Sequence, residues 1–329
     1  MTSFPSYIRA KADGILDARA DELRERLRSC TLCPRQCRVD RLSGALGYCR
    51  APAELLLSSA FAHYGEERPL VGAGGSGTIF LTHCNLKCVF CQNYEISMGG
   101  DGTPYSHKGL AAAMVDLQRR GCHNINFVTP THYVPQILEG LSIAIDAGLS
   151  VPLVYNCGGY ESLEVIRALD GIVDIYMPDI KFLSSEPAQR YCNAPDYPDV
   201  VKAVITEMQR QVGDLVTDKS GIARRGLIIR HLVMPALAEN TREVLSFIRT
   251  EVSQDAFVNV MAQYHPCHRA FEYWEIARRP TMKEYSDALE YARKIGLTRA
   301  GGRVTALSRL ATEIVAAIDF TRSVDRIAS

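Results

Sequence analysis

From Gly77 onward the sequence alternates short apolar, β-branched runs with helical segments, and this alternation narrows the possible folds most. The runs are Thr78–Thr82, Asn124–Thr129, Val151–Asn156, Ile172–Asp179, Leu227–Val233 and Phe257–Ala262. Helical periodicity falls between most of them, near Leu110–Arg120, Val134–Ala147, Glu161–Leu169, Pro198–Val212 and Asn240–Val252. Gly121, Gly148 and Gly171 stand where helices should stop, since glycine takes the left-handed backbone that ends a helix. Six such units in a row predict a parallel sheet with helical crossovers. An open doubly wound sheet, a barrel and a partial barrel all fit, and in each the carboxyl ends of the strands carry the site.

The flanks add less. Tyr7 to Arg28 predicts one charged amphipathic helix, and its arginines, balanced by Asp and Glu, read as a solvated face. Leu55 to Ala62 predicts a strand or edge element. A helix is expected at Met282–Ile295 and another at Val304–Phe320. The expected division is residues 1–72 as helix and cysteine module, 73–275 as the strand–helix unit and 276–329 as C-terminal helices. Lys+Arg and Asp+Glu are both 37. A nucleic-acid partner is therefore not expected, because counterion release needs a basic excess. The richest apolar stretch, Gly226 to Ala238, is interrupted by Arg230 and His231 and falls short of the roughly 18 residues of a membrane span. The N-terminus has no signal-peptide pattern. A cytoplasmic protein without a membrane partner is expected.

Eleven cysteines remain to be explained, and seven fall in two tight groups. Cys84, Cys88 and Cys91 follow the first strand with the spacing Cys-x3-Cys-x2-Cys. Three thiolates on one loop can hold three irons of a cubane cluster and leave the fourth open. A structural zinc would need a fourth close ligand, and His83 is badly placed to share a metal with Cys84. The other group, Cys30, Cys33, Cys37 and Cys49, is a self-sufficient set of four ligands. Zinc and an iron–sulfur cluster both accept four thiolates, and cytosolic disulfides are uncommon.

The first motif, with Phe90 between its second and third cysteines, resembles the cluster signature of the radical S-adenosylmethionine (radical SAM) superfamily. The wider string, Gly75-Ser76-Gly77-Thr78-Ile79-Phe80-Leu81 followed by Cys84 to Tyr94, is similar to the pyruvate formate-lyase activating enzyme-related (PflX-like) branch. The resemblance spans about Cys30 to Leu297. It implies a partial (β/α)6 TIM-type barrel with an N-terminal cysteine module and C-terminal helices. It also implies a [4Fe–4S] cluster on Cys84, Cys88 and Cys91, with S-adenosylmethionine chelating the fourth iron. Reductive cleavage would give a 5′-deoxyadenosyl radical that abstracts hydrogen, with the cofactor carrying the hard chemistry. A low-potential donor, flavodoxin or ferredoxin-like, and a glycyl-radical enzyme or other protein substrate are the implied partners.

Later strand ends match the same pattern. Asp179 and Lys181, in Met177-Pro178-Asp179-Ile180-Lys181, match an Asp-x-Lys element that holds the methionine part of the cofactor. Asn156, in Asn156-Cys157-Gly158-Gly159, matches the third strand's turn. Arg230 opens Arg230-His231-Leu232-Val233-Met234-Pro235, where Ala236 replaces the family's glycine. Gln263-Tyr264-His265 is similar to the family's Tyr-His, which makes His265 a cofactor contact. One departure stands out: Val128-Thr129-Pro130-Thr131-His132 occupies the place of Gly-Gly-Glu. Thr129, Thr131 or His132 would have to substitute for it.

Other signals carry less. Gly72-Ala73-Gly74-Gly75-Ser76-Gly77 satisfies Gly-x-Gly-x-x-Gly but precedes a strand, which excludes a dinucleotide site. It is expected to let the backbone approach one of the cysteine groups. Cys122, Cys157 and Cys192 read as small buried thiols. His265-Pro266-Cys267-His268 is not expected to be a separate metal site. Two functions compete: a radical SAM enzyme acting on a protein, peptide or small molecule, and a non-catalytic iron–sulfur or zinc redox protein.

Overall fold

The structure is a computed structural model that describes residues 5–301. Its strands are β1 (Leu55–His63), β2 (Ser76–Leu81), β3 (Thr103–Tyr105), β4 (Ile125–Val128), β5 (Leu153–Cys157), β6 (Ile175–Pro178), β7 (Val216–Thr217), β8 (Ala223–Leu232), β9 (Phe257–Met261) and β10 (Ala300–Gly301). They form one sheet in the order β10-β9-β8-β6-β5-β4-β2-β1-β3, with β7 added on β8. All six predicted strands lie in the central parallel run β2, β4, β5, β6, β8 and β9. β10 extends that run in parallel. β1 joins β2 antiparallel and in turn carries β3. No pairing joins β10 to β3 among the described residues, so the sheet is an open, partial TIM-type barrel.

The two faces of the sheet have different jobs. Ile79, Ile125, Phe127, Tyr155, Tyr176 and Ile229 turn outward into the main core beneath the helices. Val154, Ile175, Met177 and Ile228 form a second apolar cluster on the opposite face with Leu70, which comes from the short helix Arg68–Val71. This floor closes the inside of the barrel below the strand ends.

The crossover helices agree with their periodicity: His107–Arg119, Val134–Asp146, Leu163–Ala168, Tyr197–Val212 and Ala238–Phe247. Gly121, Gly148 and Gly171 follow helices with φ of 91°, 92° and 77°, the left-handed stop expected of them. The helix Met282–Lys294 is fixed by a capping box of Thr281 and Glu284.

Three expectations need correction. The N-terminal helix is two, Ser6–Ala12 and Ile15–Glu25, because Gly14 at φ 73° breaks the path. The glycine run does bring backbones together, but at the amino ends of the strands and far from the thiol loop after β2. A Cβ on Gly74 would lie 1.9 Å from the Gly121 carbonyl oxygen. A helix, Ser185–Cys192, also occurs where none was expected. The expected helix Val304–Phe320 lies outside the described residues. No helix of the described residues is long and apolar enough to cross a membrane.

Candidate active site

β2 delivers the chain directly into the loop of Cys84, Cys88 and Cys91. The loop turns sharply through left-handed residues that are not glycine, His83 at φ 69° and Lys87 at φ 58°. It is bracketed from two sides: Val89 N–H donates to the Tyr191 carbonyl at 2.9 Å, and Arg269 N–H donates to the Val89 carbonyl at 2.9 Å. Cys88 is buried, and Cys84 and Cys91 are half-buried. Leu86 N–H donates to Cys84 Sγ at 3.4 Å, and Cys91 Sγ lies 3.2 Å from Ser97 Oγ. Burial and the neighbouring Cys88 and Cys91 push the Cys84 thiol up to about 12. Three neighbouring thiols thus resist ionising together, and a bound cation would relieve them. Among the described residues no three His, Cys, Asp or Glu side chains converge to hold a single ion. Ligands that each take a separate corner of a cubane need no such convergence.

The second half of the site is a charged chain across successive strand ends. Asp179 follows β6, and its carboxylate accepts from Arg230 Nε at 2.8 Å and from Lys181 Nζ at 2.6 Å. Arg230, on β8, also donates to Asn156 Oδ1 at 2.7 Å, on β5. Burial alone would raise Asp179, but Arg230 and Lys181 outweigh it and hold the carboxyl below its usual value. A Cβ on Gly158 would lie 2.9 Å from Leu86 Cδ1 and 3.8 Å from Lys181 Cε, which places Lys181 beside the thiol loop, where its charge also acts on Cys88 and Cys91. Beside Arg230 opens a cavity of about 500 Å³, walled by Glu66, Glu67, Asn259, Met261 and Gln263. Glu66 Oε2 lies 3.9 Å from Arg230 NH1, and Asn259 Nδ2 donates to Glu67 Oε1 at 2.7 Å.

Residues 78–219 match the Radical SAM superfamily. The uncharacterized protein MJ0674 of Methanocaldococcus jannaschii is 36% identical over 293 residues, covering 86% of this chain and 80% of the relative. The chain belongs to the radical SAM superfamily. Another similar protein of that organism, the uncharacterized protein MJ0808, is 24% identical over 263 residues, covering 73% of this chain and 71% of its own length.

The donor set fits what the superfamily implies, a [4Fe–4S] cluster and S-adenosylmethionine. The loop after β2 presents three sulfurs that no other ion pair or disulfide consumes among the described residues. Asn156, Asp179, Lys181 and Arg230 are brought together at the strand ends. Phe90 is buried and packs edge-on against Phe182 and Tyr264, with centroids 6.2 and 6.1 Å away, so it braces the loop from behind. His265 is half-buried on the rim, with Nδ1 3.3 Å from Gln92 Nε2, beside Cys91. Tyr264 is a core residue whose hydroxyl donates to the Ile276 carbonyl.

At the end of β4, where this radical SAM protein lacks Gly-Gly-Glu, two of the three expected substitutes are already committed. Thr131 Oγ1 donates to Glu161 Oε1 at 2.8 Å, and Tyr155 donates to the other oxygen at 2.9 Å. Burial pushes Glu161 up to about 7. His132 Nε2 lies 2.7 Å from the Thr82 carbonyl, and burial drops its pKa to about 3, so it serves as a neutral strut. Thr129 remains, at φ 58° with its N–H on the Asn156 carbonyl at 2.8 Å. A β-branched residue in that region is strained, which stores strain at the carboxyl end of β4.

Sequence reasoning missed several partners of the site. Cys192 is indeed buried, yet its Sγ lies 3.2 Å from Cys88 Sγ. Cys267 Sγ donates to the Phe90 carbonyl at 3.3 Å. Arg41 is 1% exposed and donates to the carbonyls of His132 at 2.7 Å and Pro52 at 2.6 Å.

Proposed function

We propose that this chain is a radical SAM enzyme in which Cys84, Cys88 and Cys91 hold a [4Fe–4S] cluster, and Asn156, Asp179, Lys181 and Arg230 position the S-adenosylmethionine. The observation that carries it is the junction of the thiol loop with the Lys181–Asp179–Arg230–Asn156 chain at the strand ends. When bound, the cluster and cofactor would supply one-electron radical chemistry able to abstract hydrogen from an unactivated carbon. The protein's own contribution is placement. Lys181 and Arg230 offer N–H donors to a carboxylate, Asp179 keeps both cations in register, and Asn156 anchors the far end of Arg230. Phe90, Phe182 and Tyr264 keep water away from the back of the loop. A low-potential flavodoxin or ferredoxin-like donor would supply the electron.

For the substrate, Asp179-Ile180-Lys181 and the chain length support a glycyl-radical enzyme activase of the PflX-like kind. The strand end Thr129–His132 departs from that pattern. The cavity of about 500 Å³ beside Arg230, with Glu66, Glu67 and Asn259 in its wall, supports the second reading, a small molecule or short peptide. Formation of a glycine-centred EPR signal on an added glycyl-radical enzyme would favour the first.

The test of the class is anaerobic reconstitution of wild type and of the Cys84→Ala/Cys88→Ala/Cys91→Ala variant. Both are assayed for 5′-deoxyadenosine with S-adenosylmethionine and a strong reductant. Product from wild type and none from the variant is expected. A fully loaded, reducible wild-type cluster that yields none would favour a redox protein without catalysis.

A further inference from the structure

The four N-terminal cysteines form a second centre. Cys30, Cys33 and Cys49 are buried and Cys37 is half-buried. Three of the sulfurs receive hydrogen bonds. Tyr48 N–H donates to Cys37 Sγ at 3.2 Å, and Ala51 N–H donates to Cys49 Sγ at 3.5 Å. The Arg41 guanidinium reaches Cys30 Sγ at 4.0 Å. A neutral thiol carries a hydrogen of its own to place, whereas a thiolate only accepts. Three sulfurs arranged as acceptors, with the buried Cys33 in the same loop, are therefore arranged as metal ligands.

Geometry distinguishes the metal. A zinc ion draws four thiolates to about 2.3 Å, so its sulfurs crowd around one point. No such point exists among the described residues, at this quartet or at Cys84, Cys88 and Cys91. The second set is the internal comparison, because the superfamily implies a cubane there. The quartet, like it, offers no single-ion point among the described residues.

Two arginines inside the quartet's own loops then reach the catalytic loop. Arg35 lies between Cys33 and Cys37 and stacks on Tyr48 with its guanidinium carbon 4.0 Å from the ring centre. It donates to the carbonyls of Asn85 at 3.0 Å, Asn193 at 2.6 Å and Cys192 at 3.3 Å. Asn85 follows Cys84, and Cys192 touches Cys88. Arg41, between Cys37 and Cys49, holds the carbonyl of His132, whose ring is bound to Thr82 at the root of the same loop.

We propose that Cys30, Cys33, Cys37 and Cys49 hold a second [4Fe–4S] cluster, and that Arg35 and Arg41 tie this centre to the loop of the first. Arg35 is a positioning residue, acting on the loop through its backbone carbonyls.

The test is a count of iron, zinc and sulfide per chain on the anaerobically reconstituted full chain. About eight irons and no zinc are expected in wild type, and about four irons in the Cys84→Ala/Cys88→Ala/Cys91→Ala variant. The converse Cys30→Ser/Cys33→Ser/Cys37→Ser/Cys49→Ser variant should also retain about four, which keeps the test sound if one variant misfolds. One zinc beside about four irons, or about four irons with nothing else, overturns the assignment. For the tie, Arg35→Ala should speed amide hydrogen exchange across residues 84–91 while iron stays in place, and Arg35→Lys should not restore protection. Unchanged exchange overturns that half. None of these readouts uses S-adenosylmethionine cleavage, so failure here is separable from failure of the radical SAM reading.

Discussion

Replacing Asp179 with Asn keeps the shape of the side chain and removes its charge. In the structure one oxygen takes Arg230 Nε at 2.8 Å and the other takes Lys181 Nζ at 2.6 Å. A carboxamide offers one acceptor and one NH2, so it can serve one cation and must turn a donor toward the other. The lost charge-assisted bond is worth about 1.5–3 kcal/mol. The three side chains are 17–19% exposed, so water screens little of it. Breaking a buried ion pair costs about 3–5 kcal/mol, and the surviving Arg230–Asn156 bond offsets part of that. A loss of about 2.7 kcal/mol from cofactor positioning lowers cleavage about a hundredfold. Asp179 holds no iron, so the iron count should not change. The assay is single-turnover formation of 5′-deoxyadenosine on reconstituted protein, with iron measured on the same sample. Undiminished cleavage, or cleavage lost only in step with iron, would refute the reasoning.

Three other perturbations follow from the structure. Glu161, raised to about 7, binds its proton in the folded state across a window where the unfolded chain has released it. Its contribution of about 3 kcal/mol is therefore present in acid and declines as pH rises from the usual carboxylate range to 7. Urea unfolding from pH 4.5 to 8 should show a shallower decline in Glu161→Gln, with a residue left by Asp174, which burial raises to about 6. Equal slopes would contradict this. Ala236, at φ 63° where the family has glycine, bears strain of about 1–2 kcal/mol, so Ala236→Gly should raise Tm by about 2 °C after the entropic offset. A lower Tm would show that the residue is not strained. Finally, a Cys192 S–H donated to the Cys88 sulfur favours the reduced cluster, so Cys192→Ala should shift the reduction potential negative in an EPR-monitored titration. No shift would mean that the contact does not reach the cluster.

The barrel was largely legible because its strands are buried on both faces and its helices stop on glycine, two patterns that local sequence carries. Cys84, Cys88 and Cys91 were legible for the same reason: a loop's ligand spacing is local information. Gly14 broke the first helix because one left-handed residue outweighs a continuous apolar stripe. The helix Ser185–Cys192 was hidden by a weak, polar sequence that tertiary packing stabilises. Cys192, Arg41 and Glu161 were out of reach in a stronger sense. A buried arginine looks like a surface arginine until its carbonyl partners, on other strands, are known.

The Arg35 and Arg41 clamps join residues far apart in the chain: Arg35 to Asn193 spans 158 positions and Arg41 to His132 spans 91. During synthesis the N-terminal thiols therefore exist long before the residues that cover them. A nascent chain arrested short of Asn193 should expose Cys30 to Cys49 to alkylation, and one extended past it should protect them. The interval between is when metal can enter freely, so chain length itself times the loading of the cysteine loops before the fold seals them.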